Sequence, residues 1–347
     1  MKPSLTIIEP GIAATLQDCG RQGYQRFGVP VSGALDPVSL AAANALAGNA
    51  PHEAAIEVMA AGLAFMVCAK SVTLAVAGMA GPFVLETAQS VLKVAPFRSV
   101  AAQRGDIARF PPPKEGAVFY VAVAGGFDVP AVFGSKSIYG RASLGPLEGR
   151  ALRAGDMLPL RLEAAPTDET FSLDLRLAAP QVLRVMRGPN AGYFAPRAFA
   201  SLFASAYRVA PASDRMGLRL QGPALERAIE DELPSQGTAS GALQVPSDGQ
   251  PILLLADRQT TGGYPCIATV IGADIAAAGR LAAGMSIRFE EVTREEALRL
   301  LKAQRGLLKS LPAALKPVAG AFSAGRLLSA NLISGITSGL AEADDLG

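Results

Sequence analysis

The chain has 347 residues, a formal net charge of +2 from 32 basic and 30 acidic side chains, and a composition that is 50% hydrophobic. That length holds about two or three domains with a sizeable core, and interspersed charges of both signs give no basic field, which argues against a nucleic-acid partner. No apolar run approaches a bilayer span free of charges and turn formers, and the first twenty residues carry Glu9, Pro10 and Asp18, so the expectation is a cytoplasmic protein with neither signal peptide nor membrane contact.

Residues 4–8 form a first strand. A Gly-punctuated polar loop follows, carrying Gln17, Asp18, Arg21 and Ser32, and leads to Asp36-Pro37. Asp36 is a good helix N-cap and Pro37 a good first helical residue, which predicts a helix over 37–47 ending at Gly48-Asn49. Two readings of the loop stand. Gln17, Arg21, Ser32 and Asp36 line an anion- or amide-friendly pocket at the positive helix end, or Asp36 merely caps while Asp18 and Arg21 pair with each other.

Short apolar runs come next at 54–57, 63–67, 72–77, 83–85, 91–94, 99–101, 107–110 and 118–124. Almost no helical pattern separates them, so parallel α/β alternation is excluded and a barrel, or a pair of barrel-like sheets, is expected. Pro111-Pro112-Pro113 is a stiff connector inside this half. The locally polar stretch 162–174 is the best domain boundary. It divides the chain into an N-terminal β-barrel-like domain over 1–165, a C-terminal β-barrel domain over 175–292, and a C-terminal helix with its tail over 293–347.

The second half opens with a strand at 181–186 and a short helix at 195–206. Three more apolar runs, 242–245, 251–256 and 267–271, read as strands, the first two joined by the turn Ser247-Asp248-Gly249. The connection Asp257-Arg258-Gln259-Thr260-Thr261-Gly262-Gly263-Tyr264-Pro265 is too rich in donors and acceptors for a plain hairpin. It offers a carboxylate, a guanidinium, an amide and two hydroxyls beside a flexible Gly-Gly, which suits a small ligand. The competing reading is a loop satisfied by itself, with Asp257 paired to Arg258 or to backbone. Thr293-Arg294-Glu295-Glu296 is a capping box, so a helix is expected to about Arg305, stopping before Gly306. The tail 311–347 is expected to dock on the protein, given its apolar content.

Cys19, Cys68 and Cys266 read as reduced thiols, and His52 is the single histidine. No metal site is expected from so few soft ligands. A Ser-His-Asp mechanism would need His52 as its base.

Several phrases then make the chain recognisable. Thr15-Leu16-Gln17-Asp18-x-Gly20-Arg21-x-Gly23, Gly28-Val29-Pro30-x-Ser32-Gly33-Ala34-x-Asp36, Ala43-Asn44-x-Leu46-x-Gly48-Asn49 and Glu57 open the series. Ser135-Lys136-Ser137, Ser213-Asp214-Arg215-Met216-Gly217-x-Arg219-Leu220, Gly241-x-x-Gln244-Val245-Pro246 and the 257–265 loop continue it in order. Over about residues 5–292 the chain resembles allophanate hydrolase subunit 2, also called the kinase-inhibitor antagonist family or the C component of bacterial 5-oxoprolinase. It departs from the usual pattern at Ser235-Gln236, where Ser-Glu is typical, and at Gly145-Pro146, where Gly-Gly is typical.

The resemblance implies a mainly β protein with two cyclophilin-like β-barrel domains, a few short helices and a C-terminal helix, similar to half of the carboxyltransferase region of biotin-dependent urea carboxylase. It implies an enzyme that works as one member of a heteromeric complex. With a lactam-utilisation (A) component and a kinase-inhibitor-like (B) component, it would open 5-oxoproline to glutamate using ATP. Two alternatives are a carboxyltransferase acting on urea or another amide, with biotin carried on another polypeptide, and a regulatory antagonist that binds a kinase-inhibitor partner. From side-chain chemistry, Arg258 and Asp257 are the candidate catalytic residues. Gln259, Thr260, Thr261, Gln17, Arg21, Ser32 and Asp36 are the candidate substrate-binding residues.

Overall fold

The structure, a computed structural model, describes residues 2–78, 81–113, 116–167, 169–229 and 233–318. Its first half holds two sheets. In one, the strands run in the order Met157–Pro159, Ser4–Glu9, Leu63–Val67, Ile107–Phe110, Phe83–Glu86, Val91–Val94. In the other the order is Ala13–Gln17, Ala55–Met59, Val118–Val123, Ser71–Ala77, Arg98–Gln103, Phe171–Leu173, Leu315–Pro317. Leu5, Ile7, Leu16, Ile56, Phe65 and Phe119 belong to the apolar core between them.

Strand Val118–Val123 is buried at every position, which its sequence VFYVAV requires, since it has no polar face to give to water. One face meets the core between the sheets. The other carries Tyr120 and Ala122 against helix α1 (Pro37–Leu46), whose Leu40, Ala43 and Leu46 share a second cluster with them. Asp36 caps α1 as expected, accepting from the Val38 and Ser39 amides at 3.1 and 3.2 Å.

The second half closes as a seven-stranded barrel. Its strands are, in order, Val182–Arg187, Cys266–Val270, Ala242–Gln244, Ile252–Leu254, Gly217–Gln221, Tyr207–Val209 and Ser286–Glu291. The last pairs in parallel with the first, Val182 opposite Arg288, so no edge is left open. Helix α2 (Pro196–Ala204) lays Ala198, Phe199 and Leu202 on this barrel, and the short α3 (Ile275–Ala278) packs Ala278 into the same core.

Helix α4 (Arg294–Ser310) starts under the Thr293 cap, whose hydroxyl accepts from the Glu296 amide at 3.2 Å. It runs through Gly306, where a stop is expected from sequence. Leu308 and Leu311 explain the difference, because both pack into the cluster beneath α1 and hold the last turn in place. Tertiary packing outweighs a single glycine, whose cost in a helix is about 1 kcal/mol. After α4, Leu315–Pro317 pairs with Phe171–Leu173 and returns the chain to the first half. The expected docking of the tail falls on residues 319–347, outside the described residues.

A Cβ on Gly306 would meet nothing within 4 Å. Gly306→Ala is therefore expected to raise the unfolding free energy by about 0.5–1 kcal/mol, read as a higher denaturant midpoint. A lower midpoint would show that the glycine has a packing role there.

Candidate functional site

The two halves meet at a buried ionic cluster centred on Arg215, in the loop entering strand Gly217–Gln221. The Arg215 guanidinium pairs with Glu57 of strand Ala55–Met59 and grips Asp257, Nε to Oδ2 at 2.8 Å and Nη2 to Oδ1 at 3.1 Å. It also donates to the Gly33 carbonyl at 2.7 Å. Burial alone would lower the Arg215 pKa, but Asp257 and Glu57 hold it well above the ordinary arginine value. The planar fork of arginine suits two carboxylates approached from two directions, a geometry lysine does not supply.

The cluster's carboxylates find further donors around them. Glu57 Oε2 accepts from the Tyr120 hydroxyl at 2.6 Å and from the Leu35 amide at 2.9 Å, while the Tyr120 oxygen accepts from the Asp36 amide at 2.9 Å. Burial first, and then Glu57 and Asp36, push the Tyr120 phenol well above its usual range, so it stays a donor. Ser32 donates to Asp257 from a left-handed backbone, φ 55°. Such strain in a non-glycine residue persists where the surroundings over-determine it, and here Ser32 N is also bound to the Ala256 carbonyl at 3.2 Å.

Asp36 fills the N-terminus of α1 and pairs with Arg280 of the barrel at 3.0 Å, fully buried. Burial raises its pKa, with Arg280 and the two capping amides working against that rise. The positive helix end is thus neutralised from within, and the chain lacks a phosphate cradle there; ATP has no fit at this end of α1.

The polar loop before α1 folds on itself. Asp18 accepts from Ser135 Oγ and Ser137 Oγ at 2.6 Å, the Lys136 amide at 2.6 Å and the Gly20 amide at 2.8 Å. Arg21 therefore does not pair directly with Asp18; it donates to the Ser137 carbonyl, and its Nε and Nη1 have no partner among the described residues. Gln17 is enclosed, donating to Thr15 Oγ1 at 3.0 Å and to the Ile138 carbonyl at 2.9 Å. Burial lowers the pKa of Arg21.

In the 257–265 loop, Asp257 turns to Arg215 and not to Arg258. Arg258 is buried, its guanidinium meeting the Leu255 carbonyl through a long 3.5 Å approach of Nη1, and burial lowers its pKa. Thr260 is half-buried and Thr261 exposed, pairing with Gly237 across a two-stranded ribbon. Gln259 alone of the nine candidates lines a cavity of 220 Å³ on the outer face of the barrel wall, where Arg219, Gln244, Ile252 and Leu254 alternate with core residues of the same strands. Arg141, Asp214, Arg219, Gln244 and Tyr264 also line it. Gln259 Nε2 donates to Gln244 Oε1 at 3.0 Å.

Among the candidates, then, the structure brings Ser32 and Asp257 together behind the cavity wall, puts Gln259 in it, and keeps Gln17, Arg21 and Asp36 in the first half. Arg215, Glu57, Tyr120, Gln244 and Arg219 were missing from the sequence-based set. Arg215, Arg219, Gln244 and Glu57 all stand in the recognisable phrases, which was the available signal. What was not visible is that Arg215 meets a carboxylate 158 residues away. Among the described residues no helix is long and apolar enough to cross a membrane.

This barrel joined to a pair of sheets through a buried Arg-carboxylate cluster is that of a carboxyltransferase domain. The chain belongs to the family described as carboxyltransferase domain, subdomains A and B, whose pattern matches residues 27–291. It is 36% identical over 307 residues to the C component of 5-oxoprolinase from Escherichia coli (strain K12), spanning 88% of this chain and 97% of that protein. Among solved structures, it superposes on the Kluyveromyces lactis urea carboxylase with a TM-score of 0.80 at 27% identity, covering 90% of this chain and 29% of that one. On TTHA0988 the TM-score is 0.74 at 33% identity, covering 83% of this chain and 56% of that chain.

Removing Arg215 leaves two buried carboxylates uncompensated. Arg215→Met is expected to cost about 3–5 kcal/mol, measured by chemical denaturation, and adding Glu57→Gln to it should recover part of that loss. A single-variant cost below about 1 kcal/mol, in the range of surface pairs, would contradict a buried clamp.

Glu53 ties down the segment that leads to Arg141. Burial opposes ionisation of Glu53, but Lys136 Nζ at 2.8 Å and Arg161 at 2.7 Å donate to it and hold its pKa below the ordinary value. A depressed carboxylate adds stability that is present above its unfolded pKa, about 4.3, and is lost as pH falls through the folded value. Glu53→Gln should therefore lower stability at pH 7 and flatten the acid limb of stability against pH. An unchanged acid limb would remove Glu53 from that role.

Proposed function

We propose that this chain is the C component of an ATP-dependent 5-oxoprolinase complex, working with the lactam-utilisation and kinase-inhibitor-like components to open 5-oxoproline to glutamate. The observation that carries the reading is the end-to-end relationship to the Escherichia coli protein, 97% of whose length is matched. The cavity on the barrel wall supports it. A ring-opening amide hydrolase needs groups that recognise a small amide, and two facing carboxamides in a 220 Å³ cavity supply them.

Water adds to the amide carbon and the ring C–N bond breaks, giving an amine and a carboxylate; ATP hydrolysis by the complex drives the step. The ATP and its coupling are assigned to the partner chains. In this chain Gln259 and Gln244 hold the amide, while Asp257, fixed by Arg215 and Ser32, positions the loop that carries Gln259. Arg258 braces that loop from inside. The complex is cytoplasmic in this reading.

A second reading, carboxyl transfer to an amide from biotin on another polypeptide, is favoured by the superposition on urea carboxylase. It uses the same amide-holding groups.

The test is co-expression of the chain with its two partners and measurement of glutamate released from 5-oxoproline with ATP. Release that needs all three chains is expected. Gln259→Ala should lower kcat/KM by roughly tenfold or more, the worth of one lost hydrogen bond of about 1.4 kcal/mol. An assembled complex that releases no glutamate would refute the reading and leave carboxyl transfer in its place.

A further inference from the structure

Gln244 sits where the barrel ladder slips. The pairing of strand Ala242–Gln244 with Cys266–Val270 shifts register between Leu243 and Gln244, leaving Ile267 of the partner strand as the extra residue, so Gln244 keeps the alternation of its own strand and points away from the core that holds Leu243 and Val245. Gln244 is 4% exposed, yet it lines the cavity. Its amide is oriented by Gln259, which donates to its oxygen at 3.0 Å, and its own Nε2 has only a 3.4 Å approach to the Tyr264 carbonyl. Gly262 makes room for both amides: a Cβ there would come within 2.8 Å of Gln244 Nε2 and 3.3 Å of Gln259 Nε2.

This arrangement leaves Gln259 Oε1 without a donor among the described residues and an N–H of each carboxamide in hand. A ligand amide offers the complement, one N–H and one carbonyl side by side. Apart from Tyr264, the other lining groups are charged or apolar. Arg219 reaches the cavity from strand Gly217–Gln221 with no side-chain partner among the described residues, and Arg141 joins it from the first half, pairing with Asp214 at 3.1 Å. Ile252, Leu254 and Met216 give the remaining wall. At 220 Å³ the space is below the roughly 300–1,000 Å³ of drug-sized sites.

We propose that this cavity binds a small cyclic amide that also bears a carboxylate, with Gln259 and Gln244 on the amide and Arg219, assisted by Arg141, on the carboxylate. The proposal rests on the 5-oxoprolinase reading and deepens it, since it places lactam-acid recognition on this chain and assigns Arg219 as its specificity residue. A neutral diamide such as urea has nothing for Arg219 and would leave that guanidinium unused.

The experiment is calorimetric titration of the full chain with 5-oxoproline, 2-pyrrolidinone, proline and urea. The lactam acid should bind at least tenfold more tightly than 2-pyrrolidinone, which lacks the carboxylate, and than proline, which lacks the amide. Arg219→Ala should erase the gap between 5-oxoproline and 2-pyrrolidinone and leave 2-pyrrolidinone itself unchanged. Gln259→Leu should weaken both lactams. Arg219 is exposed, so its variant is expected to fold, and Arg219→Lys should recover part of the gap.

Equal binding of the two lactams, tighter binding of urea, or an unchanged gap in Arg219→Ala would overturn the proposal. So would a chain that binds none of the four while the assembled complex releases glutamate, an outcome that leaves the 5-oxoprolinase reading standing. Selective binding of the lactam acid by the chain, with no turnover by the complex, would do the reverse.

Discussion

Arg215 is the side chain on which the arrangement of this protein turns. It comes from the barrel, and the carboxylate of Glu57 it meets belongs to a sheet of the other half. Desolvating three charges in one place is costly, and it is tolerated only when geometry and additional hydrogen bonds complete the set. Tyr120, Ser32, the Leu35 amide and the Gly33 carbonyl complete it here. A buried cluster this fully paired specifies one relative placement of the two halves, because any shift leaves a charge without its partner.

That placement has a consequence for the cavity on the barrel wall. The segment holding Arg215 also presents Asp214 and Met216 to the cavity, and the loop beginning at Asp257 presents Gln259. Both segments are therefore anchored by the same ion pair, one at each end of it. Arg141, from the first half, reaches Asp214 across the boundary. The cavity is thus walled by residues whose positions depend on the joint between halves, which is how a site on loops gains the rigidity of a site on strands.

Much of this could be read from the sequence, for identifiable reasons. Asp36-Pro37 and Thr293-Arg294-Glu295-Glu296 are local signals, and both helices begin where those signals put them. The runs of short apolar segments implied sheets, since strand pattern depends on neighbours two residues apart. The end of α4 was missed because Gly306 is a local signal overruled by Leu308 and Leu311 packing at a distance. The site was half legible. A loop as polar as 257–265 announces a role, but whether Asp257 faces Arg258 beside it or Arg215, 42 residues earlier, is decided by topology. The direction of Gln244, by contrast, follows plain alternation between Leu243 and Val245 of the core, while its pairing with Gln259, 15 residues on, is set by topology.

The central claim is that the Arg215 clamp holds both loops that flank the cavity. Native-state hydrogen exchange of Arg215→Lys against the unaltered protein tests it most directly, since lysine keeps the charge and loses the fork. Amides in 213–219 and 257–263 should exchange at least about tenfold faster together, the mark of a local opening cheaper by roughly 1.4 kcal/mol, while strand Val118–Val123 keeps its protection. Unchanged exchange in both segments would contradict the claim.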